Sequence, residues 1–162
     1  MDYIWSDLHL RHENIIKYCN RPFETIEQMD KTILDNWKKT IKNNDRLFNL
    51  GDVIFGDKET AKRIIENLPG RKILIMGNHD RKHSINWFKD IGFEEVYPYP
   101  IIFNEWFILS HEYVFLNENM PYINLHGHIH DKNLNQKCYI NVSVEQTNYK
   151  PIRLDEIMKV NK

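Results

Sequence analysis

The chain has 162 residues, 41% of them hydrophobic and 28% charged, with a formal net charge of −1. That length predicts one domain over residues 1–162, able to bury a core without disulfides and too short for an added cap domain. The mix excludes a disordered, collagen-like or disulfide-stapled chain and a membrane span, and the near-zero charge gives no global attraction to nucleic acid.

Tyr3 to Ser6 reads as a short apolar strand, with Asp7 and His9 just past its end. No basic segment followed by an apolar one opens the sequence, so the expected location is cytoplasmic. Cys19 and Cys138 show neither disulfide nor metal spacing and are expected to be reduced and structural. Thr25 to Gln28 fits a capping box. Ile26, Met29, Ile33, Trp37 and Ile41 follow at helical spacing and predict a helix stopped by Asn43-Asn44-Asp45. Residues 46–50 read as a strand ending at Gly51-Asp52. Asp57 can cap a second helix with Ala61, Ile64, Ile65 and Leu68 on its buried face, and Pro69-Gly70 ends it. Lys72 to Met76 is an apolar strand leading into Gly77-Asn78-His79-Asp80, and a third helix over 84–91 is closed by Gly92.

Beyond this point residues 93–97, 101–103, 106–110, 123–126 and 138–144 read as strands, with a final helix near 155–160. The first half is βαβαβα-like and the second mostly β. Two packed sheets with helices outside accommodate both, an α/β class. Trp5, Trp37, Trp87 and Trp106 are expected in the core, and His83 and His126 as structural or solvated residues.

Five short motifs carry metal-type ligands: Asp7-Leu8-His9, Gly51-Asp52, Gly77-Asn78-His79-Asp80, His111 and Gly127-His128-Ile129-His130. Taken singly, several are ordinary turns. Gly-Asp is a common turn, whereas a turn needs Gly and Asn but not His and Asp as well. On an extended segment His128 and His130 point the same way. Five of the eight histidines fall in these motifs, together with three aspartates and one asparagine. Imidazole mixed with carboxylate and amide oxygen suits Mn²⁺, Fe²⁺ or Zn²⁺, and the absence of Cys argues against a closed structural zinc site. Glycine at strand exits permits positive φ and close backbone approach.

The order of these motifs over residues 7–130 resembles the calcineurin-like metallophosphoesterases. The stretch His12 to Phe23, with Asn14-Ile15-Ile16 and Asn20-Arg21-Pro22-Phe23, and Asn141-Val142-Ser143-Val144 before Pro151-Ile152, are similar to a small bacterial and phage subgroup of predicted phosphoesterases. The resemblance implies a four-layer αββα sandwich and two divalent metal ions, Mn²⁺ first, with Fe, Zn or Ni as alternatives. It implies one ion held by Asp7, His9, Asp52 and His130 and the other by Asp52, Asn78, His111 and His128, with Asp52 shared. A hydroxide shared by the ions would attack phosphorus, His79 would act as general acid, and Asp80 would orient His79.

The implied activity is a phosphodiesterase on small or nucleotide-type phosphate esters. The alternatives are a phosphomonoesterase or nuclease of the same fold, or a non-catalytic metal-binding scaffold. Charge does not indicate nucleic acid, no membrane partner is expected, and the oligomeric state is open. After Asp52 the run Val53-Ile54-Phe55-Gly56 lacks the second Asp common in the family and the Arg of protein phosphatases, which argues against a phosphoprotein substrate. Arg11 stands where the subgroup usually has Gly. Arg11 and Arg21 are expected to offer positive charge to a substrate phosphate, with His12 and Asn14 beside them.

Overall fold

In the computed structural model, which describes residues 1–117 and 119–160, the apolar runs of the first half form a parallel sheet. Strands β1 (Asp2–Trp5), β2 (Arg46–Asn49), β3 (Arg71–Ile75) and β4 (Glu95–Tyr97) pair in parallel, in spatial order 4-3-2-1. These runs are apolar without a polar face because both faces of the sheet are covered. Side chains of a strand alternate between faces. Thus Trp5, Leu47 and Leu74 join one buried cluster, while Ile4, Phe48 and Ile73 join the other.

The first cluster is the helix side. It takes in Met29, Ile33 and Trp37 of α2 (Ile26–Thr40), Ala61 and Ile65 of α3 (Lys58–Ile65), and Phe88 of α4 (Ile85–Asp90). The N-termini of α2 and α3 form at the predicted residues, and Ser84, expected within the third helix, caps α4 instead. Thr25, Asp57 and Ser84 each accept a backbone N–H three residues on. The capping box at α2 is shifted, since Gln28 accepts from the backbone of Glu24 rather than Thr25. Trp37 meets Trp5 edge-on at 5.4 Å and donates to the carbonyl of Pro69.

The second cluster lies between two sheets. A second sheet is built from β5 (Ile101–Phe103), β6 (Phe107–Leu109), β7 (Ile123–His126) and β8 (Tyr139–Asn141) in that order. The β5–β6 pair is an antiparallel hairpin turning at Asn104 and Glu105, both at positive φ, and β6, β7 and β8 run parallel. Phe107, Leu109, Leu125 and Val142 meet Ile4, Phe48, Leu50 and Ile75 there, and Leu154 and Ile157 of α5 (Leu154–Val160) join them. The protein is therefore α/β, with two mixed sheets and flanking helices, the architecture expected of the αββα sandwich.

The elements differ from expectation in detail. Two short ones lacked a sequence signal: α1 (Asn14–Tyr18), and β9 (Ile152–Arg153), which pairs antiparallel with β1. Trp106, expected in the core, is 53% exposed because it sits beside the β5–β6 turn rather than facing the other sheet. Among the described residues no helix is long and apolar enough to cross a membrane.

Candidate metal centre

In parallel sheets the C-terminal ends of the strands share one edge, where loops enclose a crevice. Asp7, Asp52 and Asn78 follow β1, β2 and β3, and His111 and His128 follow β6 and β7. The loop after β1 runs beside the loop after β2. His9 N–H donates to Asp52 O (2.9 Å) and Leu10 N–H to Val53 O (3.0 Å). Leu8 and Leu10 are buried in the helix-side cluster, which leaves the alternate residues Asp7 and His9 for the crevice.

The two sheets are tied at this edge. Ser6 forms a parallel bridge with Ser143, and the ring of His111 donates from Nδ1 to the carbonyl of Leu50 (2.7 Å). That bond turns Nε2 of His111 inward. Asp7, His9, Asp52, His128 and His130 all adopt positive φ, a region that Asp and His enter more readily than most residues. Backbone strain gathers at sites whose surroundings over-determine it. Gly51 also has positive φ. Gly77 and Gly127 are glycine for another reason: a Cβ at Gly77 would overlap Asp52 Oδ1, and one at Gly127 would overlap Asp7 Oδ2 and Ser6 Oγ.

These constraints bring the predicted ligands together in two groups. Deep in the crevice, Asp7 Oδ1 lies 3.8 Å from Nε2 of both His9 and His130. Nearer the mouth, Asn78 Oδ1 lies 2.9 Å from His111 Nε2 and 3.1 Å from His128 Nδ1. Asp52 Oδ2 stands between the groups, 3.5 Å from His9 Nε2 and 3.4 Å from His111 Nε2. His79 is half-exposed, with Nε2 3.9 Å from the same oxygen.

The donor set fits cations. Asp7 Oδ1 and His9 Nε2 are buried and have no hydrogen-bond partner. Unpartnered buried polar atoms are costly, and two of them converging on one point suit an ion. Asp7, His9 and His130, and again Asp7, Asp52 and His111, place ligand atoms within 4.8 Å of one another. The field is also that of a cation site. Burial opposes charge on Asp7, but the imidazoles of His9, His111 and His130 outweigh it and hold the carboxyl well below its usual range. Burial likewise opposes protonation of His111, yet Asp52 and Asp7 push it up to about 9. On His130 the pull of Cys19, Glu145 and Asp7 overcomes burial and raises it to about 10. A pocket that retains protons this strongly also favours a divalent ion in their place.

Several predicted roles are corrected. Arg21 cannot reach a substrate. Its guanidinium is buried and committed to the carbonyls of Leu8 (3.0 Å) and Asp7 (2.7 Å) and to Glu145 Oε1 (2.8 Å). It is a brace under the Asp7–His9 loop. Arg11 turns away from the crevice: its side chain lies against Gly56, 3.7 Å from Asp57, and its backbone N–H donates to Asp30. Asn14 is exposed at the start of α1 and does not line the cleft. Asp80 does not hydrogen-bond the His79 ring. Its carboxylate accepts the backbone N–H of Asp52 (2.7 Å) and Gly77 (2.9 Å), clamping the two loops together. Burial, then the charge of Asp52, raises it to about 7.

His12 does belong to the site. It is stacked on Phe55 at 4.3 Å, contacts His9 Nδ1 at 3.0 Å, and is lowered to about 4 by burial and by His9 and His79. A cleft opens over the cluster, walled by His9, His12, Tyr18, His79, His128 and His130, with Lys132 exposed on its lining.

Residues not singled out from sequence complete the surroundings. Ser143 Oγ donates to Asp7 Oδ2 (3.0 Å), and Glu145 Oε1 accepts from His130 Nδ1 (3.1 Å). Cys19, expected to be only structural, lies beside His130 and Glu145. Glu145 and Cys19 have no local signal, whereas Ser143 lies in the stretch 141–144 that carries the subgroup resemblance.

A family model described as calcineurin-like phosphoesterase matches residues 3–160. The chain is 35% identical to the "Uncharacterized protein MJ1445" of Methanocaldococcus jannaschii, covering 98% of this chain and 89% of that protein. It is 34% identical to the "Gene 66 protein" of Mycobacterium phage L5 over 50% of this chain and 40% of the phage protein. Among solved structures, "the Protein of Unknown Function AQ665 from Aquifex aeolicus" superposes with a TM-score of 0.74 at 33% identity, covering 99% of this chain and 98% of that one.

Proposed function

The chain belongs to the calcineurin-like phosphoesterase family, and from that premise we propose that it is a dinuclear-metal-dependent phosphodiesterase acting on small or nucleotide-type phosphate esters. The observation that carries this reading is the position of Asp52 Oδ2, between His9 Nε2 at 3.5 Å and His111 Nε2 at 3.4 Å. One carboxylate oxygen thus faces both donor groups. Asp7, His9, His130 and Asp52 would hold the first ion; Asp52, Asn78, His111 and His128 would hold the second. When bound, two Mn²⁺ ions supply Lewis acidity and a water acidic enough to attack phosphorus at neutral pH.

The chain's own residues do the rest. His111 is fixed by its Nδ1–H bond to Leu50 O, and His130 by its Nδ1–H bond to Glu145, so each would offer Nε2 to an ion that displaces the proton held there. His79, half-exposed above Asp52, protonates the departing oxygen. Lys132, in place of Arg11 and Arg21, offers positive charge to the phosphate at the cleft. Asp80 acts only through the loops it clamps.

A diester is favoured over a phosphoprotein because Val53-Ile54-Phe55 supplies no charged group beside Asp52 to bind a dianionic phosphate. The test is a substrate screen of the Mn²⁺-loaded protein with monoesters, linear diesters and 2′,3′-cyclic nucleotides. Diesters turned over fastest, with loss of turnover in Asp52→Asn, support the proposal. Preference for monoesters refutes the diester assignment, and no turnover with any of several metals refutes the reaction.

A further inference from the structure

We propose that Cys19, His130 and Glu145 form a second kind of metal site, for a thiophilic cation such as Zn²⁺ or Cd²⁺, which competes with the hydrolytic centre for His130. The competition rests on the reading of His130 as a ligand of the first hydrolytic ion; the thiolate site itself does not.

The three residues come from α1's end, the loop after β7 and the loop after β8. They place a sulfur, a ring nitrogen and a carboxylate oxygen within 4.8 Å of one another. Ligand atoms about 2.0–2.3 Å from a tetrahedral zinc stand roughly 3.5 Å apart, so a small contraction closes the site. A separate observation points to a ligand here. The Glu145 side chain is only 7% exposed, and its Oε2 is buried without a hydrogen-bond partner, while Oε1 takes both Arg21 and His130. One carboxylate oxygen is thereby left for a further partner. Cys19 lines the open cleft, so an ion can reach it. The donors differ in kind from the hydrolytic set: a thiolate selects soft ions, and neither hydrolytic group contains one.

The competition follows from the chemistry of imidazole. A neutral ring has one protonated nitrogen and one lone pair. With Nδ1–H donated to Glu145, Nε2 lies on the Asp7 side, 3.8 Å from Oδ1, and its lone pair would serve the first hydrolytic ion when that ion is bound. A cation bound by Cys19 and Glu145 takes the lone pair of Nδ1. The proton then sits on Nε2 and points at Asp7, and the first hydrolytic ion loses that ligand. Binding also releases the Cys19 thiol proton to solvent. The two occupancies exclude each other, so soft metals act as inhibitors.

The test is titration of the Mn²⁺-loaded full chain with Cd²⁺. It follows the ultraviolet thiolate-to-cadmium charge-transfer band and, by electron paramagnetic resonance, the free Mn²⁺. The expected result is that the first equivalent of Cd²⁺ produces the band and releases one Mn²⁺. Cys19→Ser should show no band and keep both Mn²⁺, which also shows that the variant is folded. Cys138→Ser should behave as the parent. A band that survives in Cys19→Ser, no band in the parent, or a band without Mn²⁺ release overturns the proposal. If the chain took up no Mn²⁺, the hydrolytic reading would fail on its own, and the dependence of the band on Cys19 would still decide the thiolate site.

Discussion

Asp52 sits at φ 53°, in a region where Asn is as much at home as Asp. Asp52→Asn therefore keeps the backbone and removes the charge that faces both donor groups. It should bind fewer than two metal ions and lose at least about 10³-fold in turnover, measured as metal content and initial rate on one preparation. Glu145 acts one step further out, through His130 Nδ1. Glu145→Gln should weaken Mn²⁺ binding about 10–100-fold while leaving the fold intact, read by metal titration. On the proposed mechanism His79 contributes a proton rather than a bond to metal. His79→Asn should keep metal content and lose about 10²–10⁴-fold in turnover on esters with poor leaving groups, and much less on a nitrophenyl ester that needs no acid. The convergence of Asp7, His9, Asp52, Asn78, His111, His128 and His130 was legible because Asp, His and Asn sit at strand ends, several of them beside glycine. The roles of Arg11 and Arg21 were not, because a basic residue near a site looks alike in sequence whether it faces substrate or braces a loop. Only the carbonyls of Asp7 and Leu8, turned toward Arg21, separate the two.

At the scale of elements, the amphipathic helices and the strands that fall in apolar runs were readable, even where a strand has only three residues, as β5 does. Two other short elements, α1 and β9, were not. β9 owes its existence to a partner far along the chain, β1. Trp37 and Trp106 show the same limit. Each is an aromatic expected in the core, yet one is fully buried on α2 and the other is 53% exposed at a hairpin turn. Trp37→Ala should cost about 3–5 kcal/mol, whereas Trp106→Ala should stay within about 0.5 kcal/mol. Urea unfolding of the metal-free protein measures both. The site depends on these elements indirectly. Asp80 pins the loops after β2 and β3 to each other, which holds Asp52 and Asn78 in fixed relation.

At the scale of the molecule, neither sheet contains the site alone. The first supplies Asp7, His9, Asp52 and Asn78, and the second supplies His111, His128 and His130. The inter-sheet core, with Phe48 and Ile73 against Phe107 and Leu125, sets their distance, and the Ser6–Ser143 bridge fixes it at the rim. With a net charge of −1, the chain has no overall field to hold a polyanion, so in the proposed function phosphate binding falls to the local centre. Hydrolysis of bis-p-nitrophenyl phosphate, followed as metal-free protein is titrated with Mn²⁺, tests this account most directly. Activity should be near zero in metal-free protein and should reach its plateau at two equivalents per chain, with Asp52→Asn flat throughout. A plateau at one equivalent, or activity that Asp52→Asn retains, would contradict a centre of two ions sharing Asp52.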